Sequence, residues 1–419
     1  MTATAALILT GDELLRGFVQ DANSAHIAQS LRHDGISLGS IRFAGDTLDA
    51  IERAVQSSIR ELGTVDLLIL TGGLGPTHDD RTTECVARMS GRPATLDPQA
   101  LSCVEARLQE MGRMTTAADR DVFAAGNAKQ ATLPEGAVML QPAGTAPGYV
   151  LDGQPAWIVL PGPPGELRHA WAQARNTDAY RTLRERRTGA RERLVRVWGV
   201  PESQAARVLS EAGHTDSAAC IVTLCARNGE LELSLRGADE SKVDAVREVV
   251  LAELGDRVFA VDDERSVQEL VADVLSARSH TMAVAESCTG GMLGSLLTAL
   301  PGSSRWFAGG AIVYSNELKQ ELAGVTAATL DEHGAVSRET AIELARGIRA
   351  RCSSTYGIGI TGIAGPDGGT PEKPVGTVHV GISGPDGEQV ESLRMFGGRA
   401  AIRTRSCVAA MHAFRQMLT

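Results

Sequence analysis

Apolar runs that stop on glycine, each followed by a segment with helical spacing, recur along this chain and confine it to α/β architectures. Near the start the pattern reads "AALILTG", "NSAHIAQSLRHDG", "LDAIERAVQSSIREL" and then "VDLLILTGG". The first and last are predicted strands. The middle two carry apolar residues every three or four positions and are predicted helices, the first capped by Asn23 or Ser24 and closed at Gly35. Strands separated by helices imply a largely parallel sheet, with ligands at the carboxyl ends of its strands. A further strand, "AWIVLPGPP", ends in a Pro/Gly turn and closes the unit near residue 170.

Residues 171–262 read as a small α+β module. An Arg-rich stretch (Arg181, Arg184, Arg186, Arg187, Arg191, Arg193, Arg196) leads into "LVRVWGV", and two strands follow around a turn at Asn228 and Gly229. The run lacks interleaved aromatics and a G-x-x-G clamp, so it reads as a solvated helix and linker surface. Residues 263–419 form a third, α/β unit, opening with the helix "SVQELVADVLSARS".

Composition narrows the function. A formal net charge of −10 argues against a general nucleic-acid or anionic-membrane binder. The seven cysteines are scattered without a C-x-x-C pair, which fits reduced thiols in a cytoplasm and no zinc site. The first residues meet Asp12 and Glu13 after a short apolar run and read as a strand, and no run approaches a membrane span.

Three segments of the third unit look like parts of one site. In "AESCTGG" the hydroxyl of Ser287 and the thiol of Cys288 sit at a strand-to-helix turn, where the helix N–H groups favour developing negative charge. "GAIVYS" delivers Tyr314, and Ser315 or Asn316 can cap a helix carrying Lys319 in its first turn. A lysine there opposes the helix dipole, which destabilises the ammonium and suits a general base. The third segment, "YGIGITGIAGPDGGTPEKPVGTVHVGI", passes through Gly362, Gly365, Gly368 and Gly369, whose backbone can approach a ligand closely.

Together with "HGAVS", these motifs resemble the C-terminal domain of the CinA family (competence/damage-inducible proteins) over residues 266–419, a domain similar to bacterial nicotinamide mononucleotide (NMN) deamidases. The resemblance implies metal-free hydrolysis of NMN to nicotinate mononucleotide and ammonia through a Ser287/Lys319 dyad. Tyr314 would orient the proton, Ser303 and Ser304 would be auxiliary hydroxyls, and helix N–H groups after the turn would hold the oxyanion. Substrate contacts are expected from Thr289, Gly290, Ser303, Thr361, Gly362, Gly365 and Arg399. Near the end the chain reads "MFGGRAAIR", without the acidic residue usual in the family and with a shorter loop, so Arg399 remains as the phosphate-binding candidate.

In the first unit, "TGDELLRG", "AGDT" and "TGGLGPTHDDRTTE" all follow predicted strand ends and can converge on one crevice. The glycines Gly72, Gly73 and Gly75 followed by paired carboxylates suit a phosphate beside a hard cation such as Mg²⁺. Equally, Asp79 and Asp80 can simply cap the next helix. With "NAKQATLPEGA" and "PAGTAPGY" these segments resemble the three-layer α/β/α molybdopterin-binding domain found at the CinA N-terminus. The resemblance implies metal-dependent cleavage of ADP-ribose to AMP and ribose 5-phosphate, with Glu13, Asp46 and Asp80 as metal ligands. It also implies a homodimer. The rival expectation is a competence-related regulator or a molybdopterin binder without N-terminal catalysis, although nothing in this acidic chain encodes a DNA surface.

Overall fold

The computed structural model describes residues 2–186, 192–212, 220–237 and 239–418. The chain divides into two compact units, 1–189 and 190–419. Among the described residues no helix is long and apolar enough to cross a membrane.

The first unit is built on a six-stranded sheet. Its strands Thr4–Thr10, Ser37–Ala44, Leu67–Thr71 and Ala156–Leu160 run parallel, and Gly148–Leu151 and Val138–Leu140 complete it antiparallel. The central strands are buried along their length, as continuous apolar runs predict, and alternate residues feed two separate cores. Asn23–His33 is helical, but neither Asn23 nor Ser24 caps it. Asp21 accepts from the N–H groups of both, at 2.8 and 3.1 Å, and satisfies the helix start from two residues upstream.

The second unit holds two sheets. Glu192–Trp198, Ile221–Arg227, Glu230–Arg236 and Val258–Val261 pair antiparallel, and with the helices Glu202–Glu211 and Glu240–Leu254 they follow the order βαββαβ. Numbered within this module, the strands lie 4-1-3-2 across the sheet, the split-βαβ, ferredoxin-like arrangement. Asn228 and Gly229 turn the hairpin with positive φ at both residues, as the sequence leads one to expect. The arginines leading into this module are mostly paired. Arg186 meets Asp66 at 2.7 Å, Arg193 meets Asp244 at 2.8 Å and Arg196 meets Glu230 at 3.1 Å, while Arg187 and Arg191 lie outside the described residues. His412, on the last helix, stacks on Trp198 and hydrogen-bonds Glu230 at 2.7 Å, which joins the module to the C-terminal sheet.

That sheet has five strands. Met282–Glu286 lies between Phe307–Ile312 and Tyr356–Gly362, all three parallel, and Thr377–Gly384 and Gly387–Arg394 extend the sheet antiparallel. Met282 and Val284 point to the helices Val267–Ala277, Met292–Thr298 and Arg399–Leu418, whereas Ala283 and Ala285 point to the helices Asn316–Ala323 and Arg338–Arg351. On this second face the helix Arg338–Arg351 lies hard against glycines. A Cβ on Gly359 would stand 2.4 Å from the Ala341 carbonyl oxygen, and one on Gly381 would stand 2.3 Å from the same atom.

Candidate active site

The carboxyl ends of the three parallel strands lie side by side, and each delivers one of the sequence-predicted segments. Met282–Glu286 ends at Ser287, whose N–H donates to the Ile360 carbonyl at 3.0 Å and whose carbonyl accepts from Gly290 N–H at 3.1 Å. Gly290 and Gly291 both have positive φ, a combination that side chains resist, and so the chain reverses within two residues and enters the helix Met292–Thr298. Cys288 sinks into the core with Leu293 and Leu297, and burial pushes its thiol up to about 11. An inert thiol results at neutral pH.

Ser315 caps the helix Asn316–Ala323 by accepting from Leu318 N–H at 3.2 Å. Lys319, in its first turn, is only 2% exposed. Its Nζ donates to the carbonyls of Val313, Tyr314 and Ser315 at 3.0, 3.2 and 3.4 Å, and no carboxylate pairs with it among the described residues. Burial pushes its pKa below the ordinary lysine value, opposed at neutral pH by the Glu317 charge.

The position of this amine follows from the ladder. Val313 N–H donates to Glu286 O at 2.8 Å, so the next rung of a parallel pair would join Cys288 N–H to the Val313 carbonyl. That carbonyl accepts from Lys319 Nζ instead. The amine therefore stands against the Ser287–Cys288 turn, and among the described residues the Cys288 N–H has no backbone acceptor.

Arg399 closes the arrangement. It opens the last helix, Arg399–Leu418, and donates to Gly365 O at 2.9 Å and to the Tyr314 hydroxyl at 3.1 Å. One turn on, Arg403 donates to Thr289 O at 2.7 Å. Two arginines four residues apart thus tie the glycine loop, Tyr314 and the serine turn together. Gly365 has a positive φ, and a Cβ there would meet Val375 at 2.6 Å. Gly362 is as tight, with a Cβ 2.8 Å from Thr377 O.

Three expectations are corrected. Ser303 and Ser304 lie in the turn before Phe307–Ile312, at the amino edge of the sheet, where Trp306 O accepts from Met282 N–H. A six-residue strand, about 20 Å long, separates them from Ser287. Thr361 is fully buried and donates to Ala335 O at 2.6 Å, so it anchors the "HGAVS" loop and offers nothing to a substrate. The helix N–H groups assigned to the oxyanion are occupied as well. Gly291, Leu293 and Gly294 donate to the Glu286 carboxylate at 3.1, 3.0 and 2.7 Å. Thr289 and Gly290 do lie in the turn, although the Thr289 hydroxyl is buried without a partner among the described residues.

In the first unit, Gly72, Gly73 and Gly75 follow Leu67–Thr71; Gly73 and Gly75 border a cavity of 890 Å³ whose walls include Asp80, Arg81, Arg92 and Lys129, whereas Gly72 packs against Thr10. Asp80 does not cap the helix Thr82–Ser90. Its carboxylate accepts from the N–H and hydroxyl of Thr77 at 2.9 and 2.5 Å and fixes the glycine loop from within. Asp46 is half-buried and accepts from Asp12 N–H at 2.8 Å. Burial raises its pKa, the Asp12 N–H opposes this, and the charges of Glu13, Asp12 and Asp79 raise it further. Glu13 and Asp46 thus share one acidic edge, but among the described residues no three such side chains are arranged to hold a metal ion. The expected trio fails because Asp80 is committed to its own loop.

Residues 264–418 match the CinA C-terminal domain, and residues 6–176 match a probable molybdopterin binding domain. The chain is 42% identical, over its whole length and 99% of the relative's, to a CinA-like protein of Mycolicibacterium vanbaalenii. A CinA-like protein of Mycobacterium tuberculosis is 41% identical over the whole chain and 98% of its own length. The chain belongs to the CinA family. The crystal structure of competence/damage inducible protein CihA from Agrobacterium tumefaciens is 34% identical, covers 36% of this chain and 96% of its own, and has a TM-score of 0.35. Two residues of this CinA C-terminal domain escape a sequence reading. Glu286 sits inside the quoted motif but looks like a strand-end carboxylate until the helix folds back on it. Arg403 could have been found from Arg399, since a residue four positions on shares its helical face.

Proposed function

We propose that the C-terminal domain hydrolyses the carboxamide of NMN by nucleophilic catalysis. The observation that supports this best is the buried, carboxylate-free Lys319 amine against the Ser287 turn. Neutral Lys319 takes the Ser287 hydroxyl proton, and the alkoxide attacks the carboxamide carbon. The Cys288 N–H, which has no backbone acceptor among the described residues, is the donor this reading assigns to the oxyanion. Collapse breaks the C–N bond, the leaving nitrogen takes the proton back from Lys319 as ammonia, and water then hydrolyses the acyl ester to nicotinate mononucleotide. Burial is what lowers the Lys319 pKa toward the neutral form this base requires.

Arg399 is the phosphate ligand in this reading. Two of its five N–H donors hold Gly365 and Tyr314, which leaves the others for a phosphate at an exposed edge. Arg399→Ala is expected to raise KM for NMN by about tenfold or more, the worth of one hydrogen bond to a charged group. Ammonia release measured against NMN concentration checks this, and an unchanged KM removes Arg399 from the phosphate site.

For the N-terminal domain we propose Mg²⁺-assisted cleavage of the ADP-ribose pyrophosphate. The crowded carboxylates of Asp46 and Glu13 suit a cation that keeps most of its coordination for water and phosphate oxygens. When bound, it would neutralise charge on the pyrophosphate. Asp80 keeps the glycine loop in register beside it. AMP release with and without Mg²⁺ tests this: Asp46→Asn and Asp80→Ala are each expected to lose the stimulated rate. Tight pterin binding without AMP release would instead make the domain a molybdopterin binder.

A further inference from the structure

We infer that Glu286 is a positioning residue for the Ser287 turn, holding the nucleophile and its oxyanion donor in register; the catalytic part of this rests on the deamidase reading. The carboxylate is 1% exposed. No arginine, lysine or histidine pairs with it among the described residues. Its charge is compensated by three backbone N–H groups, those of Gly291, Leu293 and Gly294, at 3.1, 3.0 and 2.7 Å. Simple helix capping does not require this. A serine or threonine placed after the strand would cap the helix Met292–Thr298 without burying a charge.

Position is what distinguishes Glu286. It precedes Ser287, and its carbonyl accepts from Val313 N–H, the residue whose own carbonyl receives Lys319 Nζ. Its side chain meanwhile grips the far end of the same turn. The five residues 287–291 are therefore held between the backbone and the side chain of one residue. Gly290 and Gly291, both at positive φ, would otherwise let the turn relax. By taking up the helix N–H groups, Glu286 also leaves the Cys288 N–H as the donor able to meet an oxyanion.

Glu286→Gln and Glu286→Asp in the full chain test this. The amide offers one acceptor oxygen where two were used, and aspartate keeps the charge but falls one methylene short. Hydrogen exchange of the segment 287–298 is expected to accelerate in both variants. In ammonia release from NMN, kcat for Glu286→Gln is expected to fall about 10²-fold, the scale of losing one oxyanion donor. KM should stay within twofold of wild type, and aspartate should recover part of kcat. A kcat at the wild-type level, or a loss confined to KM, overturns the inference. Should wild type release no ammonia, the deamidase reading falls separately. Labelling of Ser287 by a fluorophosphonate then decides: slower labelling in Glu286→Gln upholds the positioning role, and an unchanged rate ends it.

Discussion

Replacing Ser287 or Lys319 with alanine is expected to cut ammonia release from NMN by about 10⁴-fold or more, with the double variant no worse than either single one, because a nucleophile and its base act as a unit. The pH profile carries the finer test. Lys319 serves as a base only when neutral, so kcat/KM rises with pH until its pKa is passed. Burial moves that pKa below the ordinary lysine value, so the rising limb is displaced toward neutrality. Lys319→Arg keeps a positive charge that cannot be shed and is expected to be as inactive as the alanine variant. If instead the arginine variant worked, Lys319 would be acting through its charge alone. Cys288→Ala preserves the backbone N–H and removes only a core thiol. Activity that survives Ser287→Ala but not Cys288→Ala would reverse the assignment.

Much of this site could be read in the sequence because it rests on local rules. "AALILT", "LLILT" and "AWIVL" are buried strands because none carries a polar residue before its last position, and Ser315 caps its helix as a serine before "NELK" should. The helical position of Lys319 is legible in the sequence, but its strength as a candidate comes from burial, which only the fold supplies. What escaped depends on direction and return. Ser303 and Ser304 read as companions of Ser287 in the motif, yet they precede a strand parallel to the one Ser287 follows, which sends them to the opposite edge. Glu286 needed the helix to come back over its strand. Asp80 resembled a metal ligand or a cap because the spacing permits either, and a hydrogen bond to Thr77 decides for neither. The strand order of the middle module is likewise set by pairing that alternation cannot specify.

The packing behind the site predicts a second large effect. Gly347, on the helix Arg338–Arg351, faces Ala323 at the end of the Lys319 helix, and a Cβ there would lie 1.6 Å from the Ala323 carbonyl oxygen. No rotamer relieves a backbone contact, so the two helices must part. Gly347→Ala is expected to cost about 3 kcal/mol or more, at the upper end for overpacking. For a unit of this size each kcal/mol is worth about 2–4 °C in Tm. Gly255→Ala, where a Cβ meets open space, should stay within about 0.5 kcal/mol and serves as the comparison. The consequence for chemistry is separable from unfolding. Val325 N–H donates to Lys319 O at 3.1 Å, so displacing Ala323 pulls on the backbone of the residue that carries the amine. At a temperature where Gly347→Ala remains folded, ammonia release is therefore expected to fall through kcat. A variant that melts early yet turns over NMN at the wild-type rate would show that the Lys319 helix is positioned from the Val313 side alone.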